Sequence, residues 1–187
     1  NDKWSFHAAM LKAGIPTPET ALVDSPACLD GFGPDEPVIL KPRSGSGGIG
    51  IHKFAHARDL RDKLNAFIRP GTPYILQRFL EGHDIDRSVL CISGKVVVST
   101  VQQPSLPQHG YAPSSALHFH RDSHVEEVVD RMMSALGWNG IAHVDLRYSK
   151  EDRSLVVIEM NPRYWSTLLG SLVAGINFPL VHVQAAK

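Results

Sequence analysis

Two short stretches near the end of the chain decide the fold. They are residues 141–147 (IAHVDLR) and 156–161 (VVIEMN), and the polar residues 149–153 (SKEDR) separate them. Two strand-like runs joined by so short a connection predict an antiparallel hairpin. If its turn centres near Asp152, Asp145 lies directly opposite Glu159. The sequence therefore predicts two carboxylates side by side on neighbouring strands.

Because side chains alternate between the two faces of a strand, the hairpin has a polar and an apolar face. The predicted polar face carries His143, Asp145, Arg147, Val157, Glu159 and Asn161, and the apolar face carries Val144, Leu146, Ile158 and Met160. Opposed carboxylates repel each other unless a cation lies between them. Carboxylate and amide oxygens are typical ligands of magnesium or manganese rather than zinc or copper. The alternative is that Asp145 and Glu159 are solvated on an exposed edge, each paired with an arginine.

Composition narrows the class of protein. The 187 residues are 43% hydrophobic, which is enough for one domain or two small lobes. Lys plus Arg and Asp plus Glu both number 19, so the sequence lacks the positive surplus expected of a nucleic-acid or anionic-membrane partner. No apolar run approaches about 20 residues and no signal peptide is recognisable, so we expect a cytoplasmic protein. Oligomeric state stays open, a homodimer included.

The rest of the chain alternates short strands with helices, which predicts an α+β fold. The predicted strands are 21–23, 38–41, 51–54, 74–79, 85–92 and 95–100, and the predicted helices begin at Asp2, near Leu60, at a Ser123–Glu126 capping box, near Leu168 and near Pro179. A polar stretch at 102–115 is long enough for a loop over a site. Cys28 and Cys91 are not part of a CxxC motif or a Cys–His ligand spacing, so we expect both thiols to be reduced.

A glycine-rich segment, 44–50 (SGSGGIG), contains GxGxxG. A strand follows it, whereas the dinucleotide fingerprint requires a helix there, and the GK[ST] ending of a P-loop is absent. We predict a strand–loop–strand flap whose glycine amides surround phosphate oxygens, with Lys41 neutralising them. The alternative is a flexible turn with a surface lysine.

Residues 77–80 (QRFL) end a strand where backbone groups and the Gln77 amide could meet an adenine edge, and Asp84 could accept from ribose hydroxyls. Taken alone, this is only a strand ending in a turn. His118, His120 and His124 are expected to be solvated rather than zinc ligands, since no thiolate is near. His143 shares the acidic face and could reach a substrate or phosphate.

In this order, the segments resemble the ATP-grasp superfamily, and most closely its branch of carbamoyl-phosphate synthase large chains and carboxylate-amine ligases. The resemblance rests on the Asn-Asp-Lys opening, residues 38–42 (VILKP) before the flap, and residues 158–163 (IEMNPR) followed by Tyr164 and Trp165. It implies two α+β lobes, 1–78 with the flap and 79–187 with the metal hairpin, whose antiparallel sheets grip ATP. It also implies a preceding α/β domain that this chain lacks, so that the chain alone could be inactive.

The resemblance assigns roles to individual residues. Nucleotide contacts are implied for Lys3, Lys41, Ser44, Gly45, Ser46, Gly47, Gly48, Gln77, Arg78, Phe79, Leu80 and Asp84. Asp145, Glu159 and Asn161 would hold Mg²⁺ or Mn²⁺, and Lys41 and Arg163 would act in catalysis. Gln77 and Asp145 stand where many members carry Glu.

The implied activity is an ATP- and Mg-dependent ligase that activates a small carboxylic acid as an acyl phosphate for attack by an amine or similar nucleophile. Two alternatives remain open: a non-catalytic ATP-binding module of a larger protein, and a small-molecule kinase that uses the same nucleotide site.

Overall fold

The computed structural model describes residues 2–45, 47–68, 73–105 and 116–186. A first sheet has four antiparallel strands in the order β1-β4-β2-β3. Its strands are β1 (Thr20–Val23), β2 (Val38–Pro42), β3 (His52–Phe54) and β4 (Tyr74–Arg78). The glycine-rich segment joins β2 to β3, as the sequence predicts.

The second sheet has five antiparallel strands in the order β7-β6-β5-β8-β9. They are β5 (Gly82–Ile92), β6 (Lys95–Pro104), β7 (Leu117–His120), β8 (Gly140–Ser149) and β9 (Leu155–Asn161). Strands β8 and β9 form the predicted hairpin, and Asp145 pairs with Glu159. This sheet carries the predicted acidic face.

The helices are α1 (Lys3–Lys12), α2 (Ala57–Arg61), α3 (Ser123–Leu136), α4 (Leu168–Val173) and α5 (Phe178–Ala185). Helices α1 and α3 pack on one face of the second sheet, and α4 and α5 pack on the opposite face, near Leu90 and Thr100. The apolar stripe of α3 packs on the second sheet, with Val125, Val129 and Met132 fully buried. The helix ends at Gly137, whose φ of 56° suits a residue without a Cβ atom. No helix in the described ranges is long and apolar enough to cross a membrane.

Helix α1 belongs to both lobes. Its Met10 and the following Ile15 lie in the core of the second sheet, although the chain then enters the first sheet at β1. At its other end, Asp2 caps the helix and pairs with Arg43 beside the flap, with Nη2 and Oδ2 2.7 Å apart. The predicted first lobe, 1–78, therefore begins with a helix that is anchored in the second.

The faces of the β8–β9 hairpin differ from the prediction at two positions. The pairing register shifts between Asp145 and Leu146, so that Val157 lies opposite Leu146. Val157 is consequently fully buried in the core, and Ile158 lines the cleft between the sheets. A bulge places an extra residue on one strand and reverses the facing of the residues beyond it. Simple alternation across the turn could not anticipate it.

Three smaller boundaries also differ. Asp122, not Ser123, caps α3, because its carboxylate accepts from the backbone N–H groups of His124 and Val125. Strand β5 begins at Gly82 and β6 continues to Pro104, so Gln102 is a strand residue rather than the start of a loop. The rest of the predicted loop, from 106 to 115, and the predicted phosphate ligand Ser46 lie outside the described residues.

Candidate active site

The cleft between the two sheets has a volume of about 340 Å³. Of the residues singled out in the sequence, it is lined by Lys41, Gly47, Gly48, Gln77, Arg78, Phe79, Leu80, Asp84, Asp145, Glu159, Asn161 and Arg163. Two further predicted residues, Lys3 and Gly45, contact each other at its edge. The structure thus brings segments separated by more than 100 positions into one cavity.

The flap is tied down at its base by the start of α1. Ser44 bridges to Asp2, and the Lys3 backbone N–H donates to the carbonyl of Arg43 over 2.9 Å. The Lys3 Nζ atom donates to the Gly45 carbonyl, 2.9 Å away, and lies 3.6 Å from Glu159 Oε2. Lys3 therefore links the flap to the acidic hairpin across the cleft.

Glycine is required in the flap because the flap backbone is left-handed. Gly47 and Gly48 have φ values of 71° and 74°. Such angles disfavour residues with a Cβ atom and let successive N–H groups turn toward one ligand. This backbone can wrap an anion closely.

Lys41 is almost completely buried at the end of β2. Its Nζ atom donates to Gln77 Oε1 over 2.8 Å, and Gln77 Nε2 donates in turn to Thr20 Oγ1 over 3.0 Å. Burial lowers the pKa of Lys41 to about 8, although the charge of Glu159 opposes the shift. Gln77 thus binds the Lys41 ammonium but leaves its charge in place, whereas a Glu at this position would neutralise that charge.

The connection from β4 to β5 is held by arginines. The Arg78 guanidinium pairs with Glu19 and Glu36 of the first lobe. Arg147 Nε donates to the Leu80 carbonyl over 2.6 Å, and its Nη1 atom pairs with Asp84. The predicted adenine segment is therefore held in place, and among the described residues Asp84 Oδ2 has no hydrogen-bond donor, so it could accept from a ligand.

Besides Asp84, three carboxylates in a row share the face of the second sheet that lines the cleft. Asp86 on β5 pairs with Asp145 on β8, which pairs with Glu159 on β9. Burial, followed by the charges of Asp86 and Glu159, raises the pKa of Asp145 well above its usual range. Burial, opposed by a hydrogen bond from Gln102, raises the pKa of Asp86 to about 7. The row is electrostatically unfavourable without a cation.

His143 lies beside this row. Its Nε2 atom is 3.4 Å from Asp145 Oδ1, its Nδ1 atom is 2.9 Å from Ser88 Oγ, and its ring stacks on Trp165 at a centroid distance of 5.4 Å. Burial, and then the charge of Arg163, lowers the pKa of His143 to about 4. The imidazole is therefore neutral near pH 7, and its contact with Asp145 is not an ion pair.

The donor set suits a hard divalent cation. Asp145 and Glu159 supply carboxylate oxygens, and Asn161 lies beside them, with its Nδ2 atom donating to Asp145 over 3.3 Å. The Asn161 Oδ1 atom accepts from Arg163 Nη2 over 3.4 Å, so coordination through that oxygen requires the amide to turn. A divalent cation would offset both the burial and the repulsion that raise the pKa of Asp145. These residues could therefore hold Mg²⁺ or Mn²⁺.

Beyond the carboxylates, the cleft continues into a polar end. Gln102 Nε2 donates to Asp86 Oδ2 over 3.2 Å and to Thr167 Oγ1 over 3.0 Å. Arg163 and Trp165 line this end of the cleft. The Trp165 ring packs edge-on against Phe178. This end offers both a cation and a carboxylate to a polar substrate.

Sequence reasoning missed Asp86 and Gln102. Asp86 lies two positions after Asp84 and hence on the same face of β5, a signal that was available from alternation alone. What was hidden is that β5 pairs with β8, which brings Asp86 opposite Asp145 from 59 positions away. The sequence predicts a loop at Gln102 because β6 extends beyond its apolar residues.

Comparison with known protein families identifies the class of protein to which this chain belongs. The sequence model of the ATP-grasp domain matches residues 1–167. The chain therefore belongs to the ATP-grasp family, as the order of its motifs predicted. Its α+β architecture of two antiparallel sheets is the one expected for that family.

Two relatives of known name match most of the chain. A carbamoyl-phosphate synthase of Methanobrevibacter smithii is 25% identical over 185 residues, which cover 93% of this chain and 49% of that protein. A probable alpha-L-glutamate ligase of Haemophilus influenzae is 29% identical over 174 residues, covering 86% and 54%. The chain thus spans about half the length of these relatives.

Solved structures share the fold. An L-amino acid ligase from Bacillus licheniformis superposes with a TM-score of 0.73 at 20% identity, over 98% of this chain and 46% of that one. The ATP-grasp ligase PsnB, complexed with a minimal precursor, Mg and ADP, gives a TM-score of 0.71 at 22% identity, over 100% and 58%. Family model and fold together identify an ATP-grasp domain.

Proposed function

We propose that the chain is the nucleotide-binding and phosphoryl-transfer part of a carboxylate-amine ligase. The observation that carries the proposal is one cleft in which lysines and glycine amides face a row of carboxylates. ATP with a divalent cation has matching parts, since its phosphates need positive charge and the cation needs oxygen donors. A relative and a fold neighbour named as glutamate ligase and L-amino acid ligase agree with this chemistry.

In the proposed reaction, an oxygen of the substrate carboxylate attacks the γ-phosphorus of ATP, the bond to the β-phosphate oxygen breaks, and ADP leaves. An amine then attacks the carbonyl carbon of the acyl phosphate, phosphate departs, and the nitrogen loses a proton. Bound Mg²⁺ or Mn²⁺ would neutralise phosphate charge. Phosphoryl transfer depends on positioning and charge stabilisation rather than on a covalent nucleophile of the protein.

Each part of the cleft has a task in this scheme. Lys3, Lys41 and the flap amides at Gly45, Gly47 and Gly48 bind phosphate oxygens, and residues 77–80 with Asp84 bind adenosine. Asp145, Glu159 and Asn161 hold the metal. Arg163 stabilises negative charge on the substrate carboxylate as the phosphoryl group arrives.

Trapping the acyl phosphate tests the proposal. The full-length protein is incubated with ATP, Mg²⁺ and a panel of carboxylic acids, with hydroxylamine as the amine. We expect ADP release and a hydroxamate that forms only with one class of acid. A stable phosphorylated product that hydroxylamine does not capture would identify a kinase instead. ATP binding with no ADP release across the panel would identify a non-catalytic module. A cytoplasmic location and a homodimer remain predictions.

A further inference from the structure

A second cavity lies beside residues 79–81, the segment between β4 and β5 that connects the two lobes and that we call the hinge. Its volume is about 950 Å³, and of the described residues it shares Phe79 and Arg147 with the nucleotide cleft. Its walls come from β3, the start of β5, the first turn of α3, and the end of β8 with the following turn. None of the roles proposed above uses this space.

The walls are rich in positive charge although the whole chain has a net charge of zero. The charged lining residues are Lys53, Glu81, Asp122, Arg147, Lys150 and Arg153. Arg147 is paired with Asp84, and Asp122 accepts from the Tyr148 hydroxyl and caps α3. Within the described ranges, Lys53, Lys150 and Arg153 form no ion pair, and these three cations outnumber the two lining carboxylates, Glu81 and Asp122.

Backbone hydrogen bonds hold the turn that carries Lys150 and Arg153. In the turn after β8, the Lys150 N–H donates to the Glu81 carbonyl over 2.7 Å, and the Arg153 N–H donates to the Ser149 carbonyl over 3.1 Å. Arg153 has a left-handed backbone, with φ of 59°, which is uncommon for a residue other than glycine. Lys150 and Arg153 are therefore presented from a turn with a defined shape.

The third cation comes from the other lobe. The Lys53 Nζ atom lies 3.5 Å from the centroid of the Phe79 ring. Lys53 is exposed on β3, the strand that follows the glycine flap, while Lys150 and Arg153 belong to the hairpin that carries the acidic face. A ligand that contacts all three side chains would span both lobes on the outer side of the hinge.

We propose that this cavity is a second, anion-binding site for a small ligand with at least two adjacent negative charges, such as a diphosphate. Several cations that lack carboxylate partners gain charge-assisted hydrogen bonds from such a ligand. The α3 N-terminus is not the site, because Asp122 already occupies it. A ligand held by both lobes would change the opening of the cleft, so its affinity and that of ATP would be coupled reciprocally.

Inorganic pyrophosphate is the probe for a direct test. The chain is titrated without metal while amide chemical shifts are followed by NMR and the heat of binding by calorimetry. We expect the shifts to move at residues 81–83 and 150–153, and the affinity to fall as salt is raised. Shifts confined to Gly47 and Gly48 would overturn the proposal, because they would place the anion in the nucleotide cleft.

Matched double variants decide whether the named cations bind it. Lys150→Gln with Arg153→Gln removes two charges from the cavity, and Lys12→Gln with Lys95→Gln removes two exposed charges elsewhere. Glutamine keeps much of the side-chain length and does not change the backbone demand at Arg153. We expect the cavity variant to bind pyrophosphate roughly tenfold more weakly and the control variant to match the parent chain. Equal losses in the two doubles would show that only net charge matters and would refute the site.

Discussion

The two sides of the nucleotide cleft are built in opposite ways. The acidic side is a strand ladder in which Asp86, Asp145 and Glu159 are fixed by pairing. The flap side is a glycine-rich backbone held mainly at its base by Lys3 and Arg43, with Ile49 at 83% exposure. One side has its charges set before any ligand arrives, and the other can close on a ligand. This difference predicts where a substitution affects chemistry and where it affects only affinity.

The largest effect should come from neutralising the acidic side. We expect Glu159→Gln to abolish the increase in ATP affinity that Mg²⁺ produces and to lower ADP release at least roughly 100-fold, because a predicted metal ligand is lost. Calorimetric titrations of ATP with and without Mg²⁺ measure the first effect. Glu151→Gln, an exposed carboxylate on the same hairpin, is the control. If both variants respond to Mg²⁺ like the parent chain, Glu159 does not bind the metal.

Asp145→Asn sharpens the same comparison through stability. Burial, followed by the neighbouring carboxylates, raises the pKa of Asp145, so its ionised form costs folding free energy above its usual pKa. About a third of the side chain, 37%, is exposed to the cleft, which limits the cost. We expect the metal-free variant to be more stable at pH 7 by up to about 1 kcal/mol and to lose the Mg-ATP increase in melting temperature. A metal-free variant less stable than the parent would contradict the repulsion.

On the flap side, Lys41→Met should weaken ATP binding by roughly 10- to 100-fold, since the variant loses a buried ammonium that we propose binds phosphate. The pKa of Lys41 is about 8, so the advantage of the parent chain should shrink as pH rises through 8. Lys12→Met serves as the surface control. ATP affinities measured by calorimetry from roughly two pH units below to two above the pKa of Lys41 test both points. A pH-independent ratio would exclude charge as the role of Lys41.

The same pKa makes a prediction for stability with a definite sign. Between about 8 and the ordinary value of 10.5, unfolded Lys41 is protonated while folded Lys41 is not. The unfolded state then binds more protons, so the parent chain gains stability as pH rises through this window. Lys41→Met should lack that gain. Denaturant unfolding at several pH values measures the difference, and parallel curves for the two proteins would contradict it.

The sequence predicted the order of elements and the opposition of Asp145 to Glu159, because both follow from short-range patterns and one tight turn. It could not predict the pairing of β5 with β8, which depends on packing between distant segments and brings Asp86 into the row. It also missed the bulge, which places Val157 in the core and Ile158 in the cleft. One extra residue within a run of aliphatic side chains does not change the hydrophobic pattern of the sequence.

That exchange can be tested with a matched pair on β9. Val157→Ala should destabilise the fold by about 2 kcal/mol, because Val157 is fully buried and its removal leaves a cavity. Ile158→Ala should cost less than about 1 kcal/mol but weaken ATP binding several-fold, because Ile158 lines the cleft. Urea unfolding and ATP titration measure the two quantities. The opposite pattern would mean that Ile158 lies in the core and Val157 in the cleft, as simple alternation across the turn predicts.

The smallest effects should separate two glycines of the flap. Gly47 and Gly50 have similar φ values, 71° and 74°, so alanine at either position carries a backbone penalty of about 1 kcal/mol. A Cβ atom at Gly47 meets nothing within 4 Å, whereas one at Gly50 would lie 2.8 Å from Pro42 Cγ. We therefore expect Gly50→Ala to lower the melting temperature more than Gly47→Ala, because it also displaces the end of β2. Gly47→Ala should instead act mainly on ATP affinity, since Gly47 lines the cleft. Equal melting temperatures for the two variants would mean that the flap adjusts freely around Pro42 and is held more loosely than its base contacts indicate.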